Sequence, residues 1–234
     1  MISAHRGGGE VFPAETYEAF ELAIGSGAEY VEIDVRRLRD GTLVCFHDAY
    51  LGVPLARMTY PELCARARYE VPLVSAVLRL MAGRSRGHID LKEIGHEAEV
   101  VGLAMDVLGP DGFVVTTMED QSLRAIAREF PQAATALSLG RGIGDVPWYE
   151  LPVAFVADLF PAGRIRTCRA TWVSMNVTLV PWVLPRCVRL GLSIMVWTVD
   201  RTDQIDRLLA DPRVDVLVTN RPLFALERRA GLPD

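Results

Sequence analysis

Short runs of β-forming residues alternate with amphipathic helical stretches along most of the 234-residue chain. This alternation is typical of repeated βα units, because parallel neighbouring strands need a crossover helix between them. The runs that we interpret as strands are residues 2–5, 29–35, 87–92, 113–117, 133–138, 171–176, 192–199 and 214–219. Helical periodicity covers 15–26, 73–82, 96–108, 120–130 and 203–210. The pattern predicts an α/β fold, a (β/α)8 TIM barrel, and the chain length fits the range of about 200 to 400 residues for that fold.

Three segments depart from the regular alternation. Asp40-Gly41 is a tight-turn signal, and the β-like residues 42–46 follow it with no intervening helix. We therefore expect a small hairpin extension after the second strand. Residues 153–159 have features of both strand and helix, and we favour a helix or irregular structure. Because proline breaks a helix interior, Pro181 and Pro185 predict that the helix there starts late or is kinked.

Composition narrows the possible partners and location. The net charge of −5 gives no reason to expect nucleic-acid binding, and we expect Arg36, Arg37 and Arg39 to lie on a solvated surface. No apolar run approaches the length of about 18 residues that a membrane span needs. We see no linker, so we expect a single domain over residues 1–234. The oligomeric state is left open.

The four cysteines are far apart, and their spacing does not match a structural zinc site. We interpret them as reduced thiols, which is typical of a cytoplasmic protein. The residues after Met1 lead directly into the first strand without a charged segment and a long apolar segment. We therefore expect no signal peptide.

Ionisable side chains collect where the early strands end. They are His5, Glu32, Asp34, His47, Asp90 and Lys92, with His47 at the end of the hairpin. In parallel barrels the carboxyl ends of the strands meet at one mouth, which carries the functional side chains. We therefore expect these residues to converge.

The carboxylates in this set predict a metal site. Side chains alternate along a strand, so Glu32 and Asp34 point the same way, as do Asp90 and Lys92. Carboxylates gathered at one mouth repel each other unless a cation lies among them, and oxygen ligands favour Mg²⁺ or Ca²⁺. The alternative is ordinary strand-end carboxylates that pair with Arg or Lys.

The two histidines and two basic side chains add the remaining groups that phosphoryl-ester chemistry needs. His5 and His47 suit general acid–base catalysis near neutral pH. Arg6 can hold a phosphate through two hydrogen bonds, and Lys92 can hold it as a point charge. A metal and cations would stabilise charge on the phosphate while the histidines move protons.

Other residues carry weaker signals. We place His88 at the wrong end of its strand for the site, and we expect His96 to be exposed. Trp197 either lines the pocket or packs in the core. Residues 7–9 are three glycines without the pattern of a phosphate-binding loop, so we expect a flexible loop. The apolar residues 146–149 are a weak indication of a lipid-facing rim.

The motifs together resemble the glycerophosphodiester phosphodiesterase family. His5-Arg6-Gly7 resembles its HRG motif, and residues 13–20 resemble PENT-x-x-AF. Further matching segments, in order, are Gly27-Ala28, Glu32-x-Asp34-Val35, Asp40-Gly41, His47-Asp48, Val71-Pro72-Leu73 with Val77-Leu78, Ile89 to Lys92 (IEIK), Trp197 to Val199 (WTVN) and Asp215 to Pro222 (DGIITDRP). The resemblance runs from residue 3 to about residue 222 and is most specific in the first third.

The resemblance implies a metal-dependent (β/α)8 barrel that hydrolyses glycerophosphodiesters to glycerol 3-phosphate and an alcohol. It implies His5 and His47 as catalytic residues, Glu32, Asp34 and Asp90 as metal ligands, and Arg6 and Lys92 as substrate-binding residues. From its position near the end of a strand, we add Trp197 as a further substrate-binding candidate. A small-molecule phosphodiester is the implied partner.

The chain departs from the family pattern at four positions. Ala14 and Glu15 replace the Glu and Asn of PENT, Asp90 replaces a Glu, and Asn220 replaces the closing Asp. These changes leave two alternatives open. One is a barrel phosphodiesterase that acts on lysophospholipid head groups or cyclises its substrate, and the other is a non-catalytic phosphate-binding barrel.

Overall fold

A closed barrel of parallel strands forms the centre of the molecule. The computed structural model describes residues 1–141 and 147–231. The barrel strands are β1 (Ile2–Ala4), β2 (Tyr30–Arg37), β4 (Arg86–Leu91), β5 (Phe113–Thr117), β6 (Ala134–Leu139), β7 (Trp172–Asn176), β8 (Ser193–Trp197) and β9 (Val216–Thr219). Each pairs in parallel with its neighbour in this order, and β1 closes the ring by pairing with both β2 and β9. The predicted (β/α)8 TIM barrel is confirmed.

Strand β3 (Leu43–Cys45) lies outside the ring and pairs antiparallel to the end of β2. This is the expected hairpin extension. The segment after it includes a helix that the sequence analysis missed, α2 (Tyr60–Ala67). Thr59 and Glu62 form a capping box at the start of α2, a motif that is readable from sequence. The hairpin and α2 share a small apolar core that holds the loop carrying His47.

Helices cover the outside of the barrel. They are α1 (Tyr17–Gly25), α3 (Val74–Met81), α4 (Glu97–Leu108), α5 (Asp120–Glu129), α6 (Leu151–Leu159), α7 (Ala162–Cys168), α8 (Val180–Arg189), α9 (Thr202–Leu209) and α10 (Pro222–Ala230). The favoured helix over 153–159 is therefore correct, while α7 was not predicted. Among residues 1–141 and 147–231, no helix has the length and apolar character needed to cross a membrane.

Helix α8 contradicts the expected late start, while the kink stays a prediction. It begins at Val180 rather than late, and Pro185 lies inside it. Pro181 occupies the first turn, where a backbone N–H has no helical partner, so it does not oppose the start. Pro185 removes one backbone hydrogen bond, while the apolar face of the helix, including Val183 and Leu184, is buried. Tertiary packing therefore outweighs the local proline signal.

The strands separate an outer apolar layer from an interior that is apolar at the bottom and polar toward the mouth. Side chains on the outer faces of the strands pack against the helices in two large apolar clusters. Inside the ring, a smaller apolar cluster that includes Tyr30, Val114, Met195 and Val218 fills the lower part. Further along most of the strands, the inward-facing residues at every second position are polar. They therefore lie between this apolar cluster and the mouth of the barrel.

Candidate active site

A cavity of about 500 Å³ opens at the carboxyl ends of the barrel strands. The predicted site residues that line it are His5, Arg6, Glu32, His47, Asp90, Lys92 and Trp197. Asp34, the remaining predicted residue, is fully buried and contacts two of them, Arg6 and Lys92. The sequence-predicted residues therefore meet at one mouth, and the structure leaves their catalytic roles as predictions.

Strand register brings the carboxylates together. Asp34 of β2 is directly opposite Asp90 of β4, and Glu32 lies two residues earlier on the same face as Asp34. One oxygen from each of Glu32, Asp34 and Asp90 lies within 4.8 Å of the others. Metal–oxygen bonds of roughly 2.3–2.6 Å for Ca²⁺ allow one ion to span such separations. Three carboxylates whose oxygens lie this close together form a donor set that fits a hard divalent cation.

Two cations hold Asp34 in its charged form. Lys92 Nζ lies 2.8 Å from Asp34 Oδ1 and also pairs with Asp90, while Arg6 Nε lies 3.0 Å from Asp34 Oδ2. Burial alone would raise the pKa of Asp34, but Lys92 and Arg6 together hold this pKa well below its ordinary value. Burial would lower the pKa of Lys92, yet the carboxylates of Asp90 and Asp34 raise it, so Lys92 stays protonated.

Two further carboxyl groups experience the opposite effect. Burial, followed by repulsion from Asp34, raises the pKa of Glu32 well above its ordinary value. The backbone N–H of Arg6 donates to Glu32 Oε2 at 2.7 Å. Glu15, which replaces an Asn of the family pattern, is also largely buried, and burial and the charge of Asp34 raise its pKa to about 8. Its backbone has a φ of 62°, in the region that Asn tolerates better than Glu.

His5 immediately follows β1 and is anchored from behind. Its Nδ1 lies 2.8 Å from Oδ1 of Asn220, and Nδ2 of Asn220 donates to Asp200 Oδ2 at 2.7 Å. Burial first and the charge of Arg6 second lower the pKa of His5. A lowered pKa keeps the imidazole neutral at neutral pH, which is the form that can accept a proton.

His47 lies on the loop after β3, and a buried arginine braces it. Its Nδ1 lies 2.8 Å from Asp48 Oδ1. Arg36 Nε donates to the His47 carbonyl at 2.8 Å, and Arg36 Nη1 donates to Glu93 at 2.8 Å. Only 11% of the Arg36 side chain is exposed, so the expected surface position is wrong for Arg36. The Arg36 side chain faces inward on β2, so its guanidinium lies at the mouth of the cavity rather than in bulk water.

A chain of hydrogen bonds inside the barrel, below the mouth, ends at Asp90. Thr116 Oγ1 donates to Asp90 Oδ1 at 2.6 Å, and His88 Nε2 lies 3.1 Å from Thr116 Oγ1. Ser3 Oγ lies 3.0 Å from His88 Nδ1. Burial lowers the pKa of His88 to about 4, so this histidine is neutral at neutral pH. His88 lines the floor of the cavity and positions Asp90, although its strand position had placed it away from the site.

The sequence analysis also missed polar residues on the later strands. Thr116 and Thr117 of β5, Ser138 of β6 and Ser174 of β7 all line the cavity. Each is a polar residue in an otherwise apolar strand, and that signal was available from the sequence. Arg141 after β6 lines the cavity too, and its guanidinium bonds to the Met118 carbonyl and to Glu119.

Two other expectations are wrong. His96, the N-cap residue of α4, is buried with 5% of its surface exposed. Residues 7–9 form a close-packed turn instead of a flexible loop. Gly7 is buried with a φ of 77°, and a Cβ at this position would lie 2.9 Å from the ring of Phe20. Gly9 N–H donates to the Asn220 carbonyl at 2.8 Å.

Trp197 and the apolar loop before α6 complete the surroundings of the mouth. Trp197 lines the cavity with its Nε1 buried and unpartnered among the groups that the structure describes. Trp148 and Tyr149 are highly exposed, while Val146 lies outside the described residues.

Comparison with known proteins supports one family. Residues 5–62 match the model of the glycerophosphoryl diester phosphodiesterase family. The chain is 23% identical to glycerophosphodiester phosphodiesterase from Caldanaerobacter subterraneus subsp. tengcongensis, over 99% of both proteins. The chain is therefore similar to the glycerophosphodiester phosphodiesterase family. The predicted resemblance is confirmed, and the proteins that carry this name are phosphoric diester hydrolases.

Solved structures agree on the fold. Glycerophosphodiester phosphodiesterase from Agrobacterium tumefaciens is 22% identical, with a TM-score of 0.77 over 98% of this chain and 99% of that chain. A phosphodiesterase from Oleispira antarctica, solved in complex with the product sn-glycerol-3-phosphate, is 18% identical, with a TM-score of 0.77 over 99% and 97%. The (β/α)8 barrel fold is therefore common to all three.

Proposed function

We propose that the chain hydrolyses glycerophosphodiesters to glycerol 3-phosphate and an alcohol with the help of a divalent cation, Mg²⁺ or Ca²⁺. The observation that carries the proposal is the cluster of Glu32, Asp34 and Asp90 at the mouth of the cavity, with oxygens within 4.8 Å of one another. His5 and His47 line the same cavity. Similarity to the family over residues 5–62 and the product complex of the Oleispira antarctica phosphodiesterase support this substrate class.

The three carboxylates would hold the cation, which when bound supplies positive charge to the phosphate oxygens. Arg6 and Lys92 already lie against Asp34, so their charges are close enough to the cluster to bind the phosphate as well. Lys92 Nζ pairs with Asp90 as well as with Asp34.

The proton transfers are assigned to the two histidines. One histidine removes a proton from the nucleophile, which is either water or the neighbouring glycerol hydroxyl. The new P–O bond forms as the bond to the leaving alcohol breaks, and the other histidine protonates that alcohol. When the nucleophile is the glycerol hydroxyl, this step forms a cyclic phosphate, and attack by water then breaks one ring P–O bond to give glycerol 3-phosphate. Replacing His5 or His47 with Ala should lower kcat by about 10²–10⁴, the usual effect of losing a general acid or base. Near-normal turnover of both variants contradicts the assignment.

Metal dependence is tested by removing and restoring the ion. Treatment with a chelator should abolish hydrolysis of glycerophosphocholine, and Mg²⁺ or Ca²⁺ should restore it. Calorimetric titration of either metal into Asp34→Asn should show no binding, because this change removes a ligand charge at the centre of the cluster. Asp111→Asn is a matched control, since Asp111 is exposed just before β5, at the opposite end of the barrel. Full activity after rigorous metal removal would refute the carboxylate interpretation.

Lysophospholipid head groups are a second candidate substrate. Exposed apolar side chains in and around α6 favour it: Trp148, Tyr149, Val153, Phe155 and Phe160. Tyr149 and Val153 line a depression together with Arg141, which also lines the main cavity. Aromatic side chains of this kind suit a lipid surface.

A substrate panel separates the candidates. Glycerophosphocholine, glycerophosphoethanolamine, glycerophosphoglycerol and a lysophospholipid would each be offered with each metal. Turnover of the first three supports the proposal, and preference for the lysophospholipid supports the alternative. No turnover of any of them favours a phosphate-binding barrel. The cytoplasmic location stays a proposal, to which the four unpaired cysteines are suited.

A further inference from the structure

The hydrogen bonds behind His5 have a fixed direction. A carboxylate can only accept, so the Asn220 side-chain atom that lies 2.7 Å from Asp200 Oδ2 must be the amide nitrogen. The amide oxygen therefore faces His5, at 2.8 Å from Nδ1. An amide oxygen can only accept, so the proton of a neutral His5 is on Nδ1. This leaves Nε2 unprotonated and available to the cavity.

Asp200 is itself held by three donors. The backbone N–H of Asn220 donates to Asp200 Oδ1 at 2.9 Å, and Thr219 Oγ1 donates to the same oxygen at 3.1 Å. The third donor is the Asn220 side-chain amide on Oδ2. Because Oδ1 is occupied by the other two, Oδ2 is the oxygen that sets the orientation of the Asn220 amide.

The two positions are exchanged relative to the family pattern. The WTVN segment ends in Asn, where this chain has Asp200, and the DGIITDRP segment has Asp, where this chain has Asn220. One carboxylate and one amide are thus retained in the opposite order.

We propose that Asp200 and Asn220 are a positioning pair, in which Asp200 orients the Asn220 amide and the amide fixes His5 as the Nδ1-protonated tautomer. This inference rests on the proposed function, since it prepares His5 Nε2 to take a proton from the nucleophile. Neither residue of the pair is among those that line the cavity. They act through His5 rather than on the substrate.

The variant Asp200→Asn tests the pair directly. Oδ1 would stay opposite the backbone N–H of residue 220, so the new amide nitrogen would take the place of Oδ2 and face the nitrogen of Asn220. Two donors cannot pair, so the Asn220 amide must flip and present its nitrogen to His5. His5 Nδ1 would then accept, and its proton would move to Nε2. We expect kcat to fall by about 10²-fold or more, as for a histidine held in the wrong tautomer, with KM nearly unchanged.

The reciprocal exchange should rescue this loss. In the double variant Asp200→Asn with Asn220→Asp, the new amide donates to the new carboxylate, and that carboxylate again accepts from His5 Nδ1. We expect Nδ1 protonation to return, with kcat within about tenfold of the parent enzyme, a gap that suits outer positioning groups. Asp203→Asn is the matched control, because Asp203 is an exposed carboxylate three residues beyond Asp200.

The decisive measurement is the pair of ¹⁵N chemical shifts of the His5 imidazole at a pH where the ring is neutral. The expected tautomers are Nδ1–H in the parent, Nε2–H in Asp200→Asn and Nδ1–H in the double variant. An unchanged tautomer in Asp200→Asn, or a double variant no more active than Asp200→Asn, overturns the pair. Circular dichroism confirms that each variant is folded. The tautomer is read without turnover, so failure of the pair and failure of the proposed function are distinguishable.

Discussion

Folding places the carboxyl group of Glu15 where its charged form is unfavourable. Replacing Glu15 with Gln should therefore change how the free energy of unfolding depends on pH. Its pKa rises from 4.5 to about 8 on folding, because of burial and the charge of Asp34. A raised pKa means that the folded state favours the protonated form. The contribution to stability is therefore complete below pH 4.5 and is lost as pH rises to about 8.

The magnitude follows from the size of that change. At about 1.4 kcal/mol for each pKa unit, the loss between the two pKa values has an upper limit of about 5 kcal/mol. Gln resembles the neutral acid and does not ionise. The free energy of unfolding of Glu15→Gln should therefore exceed that of the parent at high pH and should approach it at low pH.

Urea unfolding at several pH values between about 5 and 9 provides the assay, with the free energy of unfolding obtained by linear extrapolation. The buffer should contain EDTA, since a cation bound beside Asp34 would favour the charged form of Glu15 and reduce the effect. Glu21→Gln is the control, because Glu21 is exposed on α1. The reasoning is refuted when the difference between the parent and Glu15→Gln is the same at every pH, or when Glu21→Gln gives the same pH dependence.

Gly7→Ala and Gly27→Ala form a second, matched comparison. Both glycines have a positive φ, of 77° and 87°, but a Cβ at Gly7 would press on Phe20 while one at Gly27 would meet nothing within 4 Å. Both variants should lose about 1 kcal/mol of unfolding free energy to backbone strain, and Gly7→Ala should lose about 1–3 kcal/mol more from overpacking. Equal losses in urea unfolding would contradict the close-packed turn. Trp197→Phe keeps an aromatic ring in the cavity but removes its unpartnered N–H. If that N–H binds the substrate, KM should rise about fivefold, the value of one neutral hydrogen bond, with kcat preserved. A fall in kcat at constant KM would argue against a binding role.

The sequence predicted the barrel and the carboxylate cluster because two independent patterns agreed. Alternating strands and helices specify a parallel sheet, and the period of two within each strand placed Glu32, Asp34 and Asp90 on one side. Both signals are local, and strand register then brings the side chains together without further information.

The wrong predictions concern residues whose burial or contacts depend on long-range packing. Arg36 and His96 have polar side chains and were assigned to the surface, yet tertiary neighbours bury both. Helix α8 keeps Pro185 inside because its apolar face is buried, and no local propensity reports that burial. His88 was assigned by strand position alone, although its role depends on Thr116 of the next strand. The missed helix α2 is different, since its capping box was present in the sequence.

The ring closes where its first and last strands meet, and the site lies across that seam. His5 and Asn220 are 215 positions apart in the chain, and the carboxylate of Glu10 accepts backbone N–H bonds from Leu223 and Phe224 at the start of α10. A nascent chain must therefore extend past β9 before His5 can meet Asn220. A chain that stops before β9 contains Glu32, Asp34 and Asp90 but lacks the amide that contacts His5 Nδ1.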